Sequence, residues 1–153
     1  MVDDLYQETI LDHSKRPRNC RSMPDANREA EGYNPLCGDK LKLFLKMEGE
    51  TVKDVSFVGS GCAISTASAS LMTESLKGKS REEALKLLDK FHELLTTDSA
   101  VSKDLGKLVV FCGVREYPAR VKCATLAWHT LKSALSNSGE TVSTESASST
   151  EYI

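Results

Sequence analysis

The sequence predicts an α+β fold in which helices pack on one face of a small antiparallel β-sheet. Residues 40–47 alternate apolar and polar side chains, as a strand covered on one face does. A short turn through Gly49 separates them from a second apolar run at residues 52–58, which indicates an antiparallel hairpin. Longer segments with helical spacing of apolar residues precede and follow this hairpin.

Composition restricts the possible partners of this chain. Its 153 residues are 40% hydrophobic and 27% charged, which suits one domain with a buried core. A net charge of -2 provides no basic surface for phosphates, so nucleic acid is not an expected partner. No apolar run approaches a membrane-spanning length, and residues 1–4 do not resemble a signal peptide. We therefore expect no membrane partner and a cytoplasmic location.

Before the hairpin, the sequence predicts one helix and then a less regular segment. Residues 2–13 form an amphipathic pattern whose apolar face includes Ile10 and Leu11. Pro17 follows the end of this helix, and the stretch from there to Gly32 is predicted to be a loop or an irregular edge strand.

After the hairpin, three helices are predicted. The first begins near Cys62 and ends near Gly78, and the second follows the capping box of residues 80–83 and runs to about Leu95. The third begins with Pro118 in its first turn. Residues 137–153 are rich in Ser, Thr and Glu and are predicted to be a disordered tail. The predicted domain therefore covers residues 1–136.

A possible metal site lies at the end of the hairpin. Cys37 and Asp39 flank a glycine just before the first strand, and Cys62 follows the second strand, so an antiparallel hairpin brings them together. Cys123 falls in the first turns of the last helix and offers a third thiolate. Three thiolates and one carboxylate could form a tetrahedral shell for zinc or for cluster iron.

Spacing alone leaves a simpler interpretation open, because free cysteine is often buried as a small hydrophobic residue. The glycines beside Cys37 and Cys62 favour ligands, since ligands need backbone freedom. We interpret Cys20 as an incidental thiol and Cys112 as a core residue. The three histidines are interpreted as packing or capping residues: His13, His92 and His129.

Three separated stretches resemble the signature motifs of the NifU-like (IscU-type) iron–sulfur assembly proteins. They are Asn34-Pro35-Leu36-Cys37-Gly38-Asp39, Gly59-Ser60-Gly61-Cys62-Ala63-Ile64-Ser65 and Arg120-Val121-Lys122-Cys123-Ala124-Thr125-Leu126-Ala127-Trp128. Residues 11–13 and 17–19 are similar to the family's N-terminal segment, and the resemblance runs from residue 3 to about residue 135. It implies the SufE/NifU-like fold and a metal shell of Cys37, Asp39, Cys62 and Cys123.

Two departures from the scaffold pattern resemble the SufU branch of this family. IscU-type scaffolds carry a histidine immediately before the third cysteine, where this chain has Lys122, and residues 80–106 form an additional helical insertion. The resemblance implies a Zn²⁺-dependent sulfurtransferase that accepts persulfide sulfur at Cys37. Its implied partners are a SufS-type cysteine desulfurase and the downstream Suf cluster-assembly machinery.

Two alternatives stay open. One is a scaffold that assembles a [2Fe-2S] cluster on the same four ligands, against which Lys122 argues because an ammonium group is a poor cluster ligand. The other is a zinc-stabilised interaction module, whose domain would unfold when the metal is removed. Lys122 and Arg120 could offset negative charge at the site or could simply be solvated residues at a helix start.

Overall fold

The computed structural model describes residues 2–35, 38–96, 105, 106, 108, 111, 114, 117–136, 142 and 143. Within these residues the elements follow in the order α1 (Val2–Lys15), β1 (Arg28–Asn34), β2 (Asp39–Glu48), β3 (Thr51–Ser60), α2 (Ala63–Leu76), α3 (Arg81–Thr96), α4 (Pro118–Ser136) and β4 (Val142–Ser143). None of the helices in this described part is long and apolar enough to cross a membrane.

The sheet has the strand order β3-β2-β1-β4. Strands β1, β2 and β3 are antiparallel, and β4 pairs in parallel with the outer edge of β1. The register pairs Asn34 with Asp39 and Lys40 with Ser60, so the end of β1, the start of β2 and the end of β3 meet. The predicted α+β architecture is confirmed, and this shared end of the sheet carries the candidate site.

One face of the sheet forms the main core. Alternate residues of β2 are buried on this face, namely Leu41, Leu43, Leu45 and Met47. Helices α2 and α4 cover the face, with α4 against β1 and β2 and α2 against β3. Ser68 of α2 accepts a hydrogen bond from the indole N–H of Trp128 on α4 at 3.1 Å. Small side chains in α2 therefore allow it to pack closely against α4.

Helix α4 also lies close to β1, and Gly32 makes this possible. A Cβ atom at Gly32 would clash with the hydroxyl of Thr130 on α4. On its other side α4 contacts α3 through the stacked rings of Trp128 and Phe91, whose centroids lie 4.5 Å apart. Trp128 is only 1% exposed. Helix α4 is thus packed between the sheet and two other helices, and its first turns are fixed in position.

Helix α1 packs on α2. His13 is buried, and its Nδ1 lies 2.7 Å from the hydroxyl of Ser70 on α2, which agrees with the predicted packing role. Ile10 is also buried, whereas Leu11 is 50% exposed, so the prediction that Leu11 faces the core is wrong. Positions three apart share a helix face and adjacent positions do not, so a face through Ile10 and His13 turns Leu11 outward.

Two segments contain strand pairing that the sequence did not predict. The stretch predicted as a loop or an irregular edge strand contains the regular strand β1, which pairs with β2 along all seven of its residues. In the segment predicted to be disordered, Val142 and Ser143 pair with Gly32 and Tyr33 of β1. The rest of residues 137–153 lies outside the described residues, so its predicted disorder and the domain boundary at residue 136 stay predictions.

Candidate metal centre

Three of the four predicted ligands come together at the shared end of the sheet. One carboxylate oxygen of Asp39 and the sulfurs of Cys62 and Cys123 all lie within 4.8 Å of one another. These residues come from the start of β2, the residue before α2 and the second turn of α4. Cys37, the fourth predicted ligand, precedes Asp39 by two positions and lies outside the described residues.

Asp39 is fully buried and connects the sheet to the start of α2. Its Oδ1 accepts a hydrogen bond from the backbone N–H of Cys62 at 2.8 Å, and its Oδ2 lies 3.7 Å from the Cys62 sulfur. A Cβ atom at Gly61 would lie 2.7 Å from Oδ1. Glycine therefore allows the chain to pass close to the carboxylate, which keeps one oxygen on the backbone and the other near the thiol.

Cys62 is the N-cap residue of α2 and is half-buried. Its sulfur accepts the backbone N–H of Ser65 at 3.4 Å, which satisfies one of the unpaired donors in the first turn. A hydrogen bond with Cys123, aided by the Ser65 donor, lowers the pKa of Cys62 from 9.0 to about 7, although burial and the charge of Asp39 oppose this change. The thiolate of Cys62 is thus accessible near neutral pH, as a metal ligand requires.

Cys123 is 3% exposed, and its sulfur faces the end of β1. The side-chain amide of Asn34 donates to this sulfur across a distance of 3.5 Å. Asn34 was not among the predicted site residues, although it stands in the same motif as Cys37. The contact joins residues 89 positions apart, and no local pattern in the sequence signals it.

The turn that carries Cys37 is closed at both ends. The backbone N–H of Gly38 donates to the carbonyl of Asn34 at 2.8 Å. Gly38 has a φ of 73°, a left-handed conformation that glycine adopts without steric cost. Asn34 and Asp39 also pair across β1 and β2. Asn34, Gly38 and Asp39 are therefore held in position by hydrogen bonds or strand pairing.

The other predicted residues lie apart from this cluster or outside the described part. Cys20 is exposed and Cys112 is not among the described residues. Burial lowers the pKa of His129 on α4 to about 4, so this ring is neutral at pH 7. The guanidinium of Arg120 lies 4.7 Å from the ring centroid of exposed Tyr117. Lys122 is half-buried and directly precedes Cys123 in the chain.

The donor set fits zinc. In a tetrahedral site with zinc–sulfur distances of about 2.3 Å, neighbouring ligand atoms lie about 3.8 Å apart. The Asp39 oxygen and the Cys62 sulfur are 3.7 Å apart, and all three donors fall within 4.8 Å. Two sulfurs and one oxygen leave one position of a tetrahedral shell for a fourth ligand. The same sulfur-rich set is also compatible with cluster iron.

Comparison with known proteins identifies the family. Residues 5–124 match the family described as the NifU-like N terminal domain. The match covers well over half of the chain, and its range includes Asp39, Cys62 and Cys123. The chain therefore belongs to the NifU-like family, as the resemblance of its motifs predicted.

Relatives from both branches of this family are similar to the chain. An iron–sulfur cluster assembly scaffold protein IscU from Streptococcus pyogenes serotype M1 is 41% identical over 138 residues, covering 90% of this chain and 86% of the relative. A zinc-dependent sulfurtransferase SufU from Bacillus subtilis strain 168 is 42% identical over 132 residues, covering 86% and 89%. These nearly equal identities do not separate the two activities.

A solved structure supports the same assignment. A candidate iron–sulfur cluster assembly scaffold protein for the SUF system, from Fervidobacterium islandicum AW-1, superimposes with a TM-score of 0.79 at 37% identity. The superposition covers 86% of this chain and 97% of that protein. The chain thus has the fold of this family along most of its length, and its similarities include the SufU branch.

Proposed function

We propose that this protein is a zinc-dependent sulfurtransferase of iron–sulfur cluster biogenesis. In this proposal it accepts persulfide sulfur at Cys37 from a SufS-type cysteine desulfurase and passes it to the Suf cluster-assembly machinery. The coarser part, a role in iron–sulfur cluster assembly, follows from membership of the NifU-like family. The zinc, the sulfur transfer and the partner are the finer part, which the site chemistry and the SufU relative support.

The observation that carries the proposal is the cluster of two thiols and one carboxylate at the end of the sheet. In the proposal, Asp39, Cys62 and Cys123 hold zinc together with Cys37. Zinc bound there would keep the thiols deprotonated and fixed in position. The oxygen of Asp39 is a harder and more readily exchanged ligand than sulfur. In the proposal, the site therefore combines the two thiolate ligands Cys62 and Cys123 with more weakly bound ligands, which a group from a partner could displace.

The proposed transfer is an exchange between a thiolate and a persulfide. The Cys37 thiolate attacks the outer sulfur of the desulfurase persulfide, a new S–S bond forms on Cys37, and the old S–S bond breaks. The desulfurase cysteine leaves as a thiolate, so no external oxidant or reductant is needed. Gly38, which follows Cys37 in the chain, has a left-handed backbone that glycine adopts without steric cost.

Lys122 favours sulfur transfer over cluster assembly. A scaffold needs four ligands for the irons and often more during assembly, and a lysine ammonium group provides no lone pair. Lys122 is half-buried directly beside Cys123, at the position where IscU-type scaffolds have histidine. A cation there instead balances part of the negative charge of three thiolates and one carboxylate.

The scaffold alternative keeps support from one comparison and from the donor set. The Streptococcus pyogenes relative, 41% identical, bears the name of an assembly scaffold. Cysteine sulfurs also suit cluster iron, which would then be the cargo of the protein. In this alternative the same four residues would build a [2Fe-2S] cluster and release it to an acceptor protein.

The test measures turnover by a SufS-type cysteine desulfurase with and without the zinc-loaded protein. We expect substoichiometric protein to raise sulfide or alanine production strongly, and Cys37→Ala to abolish the increase. Cys20→Ala, which changes an exposed thiol outside the cluster, serves as the matched control and should behave like the unmodified protein. Unchanged turnover, together with a visible iron–sulfur chromophore formed from iron and sulfide, would reject sulfur transfer and favour the scaffold.

A further inference from the structure

Asn34 connects three parts of the candidate metal centre. It ends β1, is fully buried, and donates from its side-chain amide to the Cys123 sulfur at 3.5 Å. Its backbone carbonyl accepts the N–H of Gly38 at 2.8 Å, which closes the turn containing Cys37. In the register of the sheet, Asn34 lies opposite Asp39 on β2. Asn34 thus contacts Cys123 and lies opposite Asp39 in the sheet.

The side chain and the backbone of Asn34 have separable roles. Any residue at this position supplies the carbonyl that closes the turn. Only a side chain with an N–H or O–H of suitable length can donate to the Cys123 sulfur. A buried amide costs free energy unless its groups are paired, so Asn is a poor choice here for packing alone. The hydrogen bond to sulfur gives a donor of this buried amide a partner.

An N–H donor changes how a thiolate behaves. It withdraws electron density from the sulfur, which stabilises the charged form and weakens its attack on another sulfur. Cys62 receives such a donor from the backbone of Ser65, and Cys123 receives one from Asn34. Both described thiols of the cluster are therefore stabilised as ligands and made poorer nucleophiles. Partners of this kind orient metal ligands and tune them.

We propose that Asn34 is a positioning residue that keeps Cys123 as a metal ligand and thereby leaves sulfur acceptance to Cys37. The inference rests on the sulfur transfer proposed above, but its metal-binding part stands on the hydrogen bond alone. Asn34 sets the orientation and electron density of the Cys123 sulfur and takes no part in the transfer itself. Removing its amide loosens this ligand and makes its sulfur available to a persulfide.

The test uses Asn34→Ala and Asn34→Leu in the full chain. Both variants keep the backbone carbonyl, and leucine replaces the amide with a branched apolar group of similar shape and somewhat larger volume. We expect zinc affinity, measured by competition with a chromophoric chelator, to fall about 10- to 100-fold. After incubation with the desulfurase and its substrate, mass spectrometry should find persulfide on Cys37 alone in the unmodified protein and on both Cys37 and Cys123 in the variants.

A matched control is available at the opposite end of the same strand pair. The side chain of Asn27 donates to the carbonyl of Met47 and accepts its N–H, both at 2.8 Å, away from the cluster. Asn27→Ala therefore removes two hydrogen bonds of the sheet without touching a ligand. We expect it to lower stability while zinc affinity and the position of the persulfide stay unchanged.

A measurement on the unmodified protein covers the case in which the variants do not fold. In nitrogen-15-labelled protein loaded with cadmium-113, nuclear magnetic resonance should show a scalar coupling between the metal and the side-chain amide protons of Asn34. The coupling is expected to pass through the Cys123 sulfur, to which this amide donates. Folded variants that retain zinc affinity within about twofold would overturn the proposal, as would absence of the coupling from assigned resonances. If no cysteine of the unmodified protein accepts sulfur, the function proposed above fails, and the affinity and coupling still decide the role of Asn34.

Discussion

The starts of α2 and α3 have the same pattern of hydrogen bonds but differ in where its members come from. Before α3, the Ser80 hydroxyl accepts the N–H of Glu83 at 3.1 Å, and the Glu83 carboxylate accepts the N–H of Ser80 at 3.0 Å. Before α2, the Cys62 sulfur accepts the N–H of Ser65, and the carboxylate that accepts the N–H of Cys62 belongs to Asp39 on β2. The second pattern is a capping box with a distant carboxylate.

This difference separates a helix start that only stabilises its helix from one that also positions candidate metal ligands. At α3 both partners lie within four residues and the bonds are exposed, so the pattern stabilises the helix. At α2 the cap is a thiol and its carboxylate is buried in the neighbouring strand, which places a sulfur and an oxygen 3.7 Å apart. Helix capping at α2 thus also assembles two candidate metal ligands. The comparison can be tested by changing each part of the two caps separately.

The largest expected effect separates capping from metal binding at Cys62. In Cys62→Ser the hydroxyl keeps the cap but the sulfur ligand is lost. We expect zinc affinity to fall more than about 100-fold, since a direct ligand contributes more than its supporting partners do. Stability of the metal-free protein should change by less than about 1 kcal/mol, because serine is a preferred N-cap residue. Chelator competition and urea denaturation measure the two quantities.

Ser80→Ala is the matched control for this change. It removes a cap of the same geometry at α3, and we expect a loss of about 1 kcal/mol in the free energy of unfolding with no change in zinc affinity. Zinc binding that survives Cys62→Ser, or that falls equally in both variants, would remove the distinction between the two helix starts.

A smaller effect is expected when the carboxylates of the two boxes are compared in metal-free protein. Asp39→Ala removes a charge-assisted hydrogen bond from a fully buried carboxylate, and we expect a loss of about 1–3 kcal/mol in the free energy of unfolding. Glu83→Ala should cost less, because its carboxylate is exposed and water can replace it. Urea denaturation of both variants measures the difference. Equal losses would mean that the distant carboxylate is no more important to its helix than the local one.

The last expected effect is a pH dependence at Cys62. Its pKa is lowered from 9.0 to about 7, so the folded metal-free protein favours the thiolate more than the unfolded chain does. This contribution to stability is fully present above pH 9.0 and is lost as the pH falls through about 7. The free energy of unfolding should therefore rise between these values, and Cys62→Ser should lack that part of the rise.

Alkylation followed by mass spectrometry gives an independent measure of the same group. In metal-free protein, the alkylation rate of Cys62 should reach half of its maximum near pH 7, because the pKa of this thiol is lowered to about 7. A rate that begins to rise only near the ordinary thiol value would contradict the hydrogen bonding described for its sulfur.

Local patterns predicted most elements because their causes lie within a few residues. Alternation along residues 40–47 predicted β2, the capping box predicted the start of α3, and Pro118 predicted the first turn of α4. The prediction was weakest for β1, whose sequence Arg-Glu-Ala-Glu-Gly-Tyr-Asn contains few strand-forming residues. Pairing with β2 and the close approach of α4 at Gly32 hold it in the sheet. Tertiary contacts there override a weak local preference.

For the candidate site, the sequence by itself determined which side chains are available and placed Asp39 and Cys62 at neighbouring ends of a hairpin. A hairpin register is a local property, so this part needed no three-dimensional information. Only the tertiary structure decided that Cys123 joins them and that Asn34 donates to its sulfur, 89 positions away along the chain. Those contacts depend on how α4 packs across the sheet, and helix packing is set by the shapes of many side chains together, which no single stretch of sequence encodes.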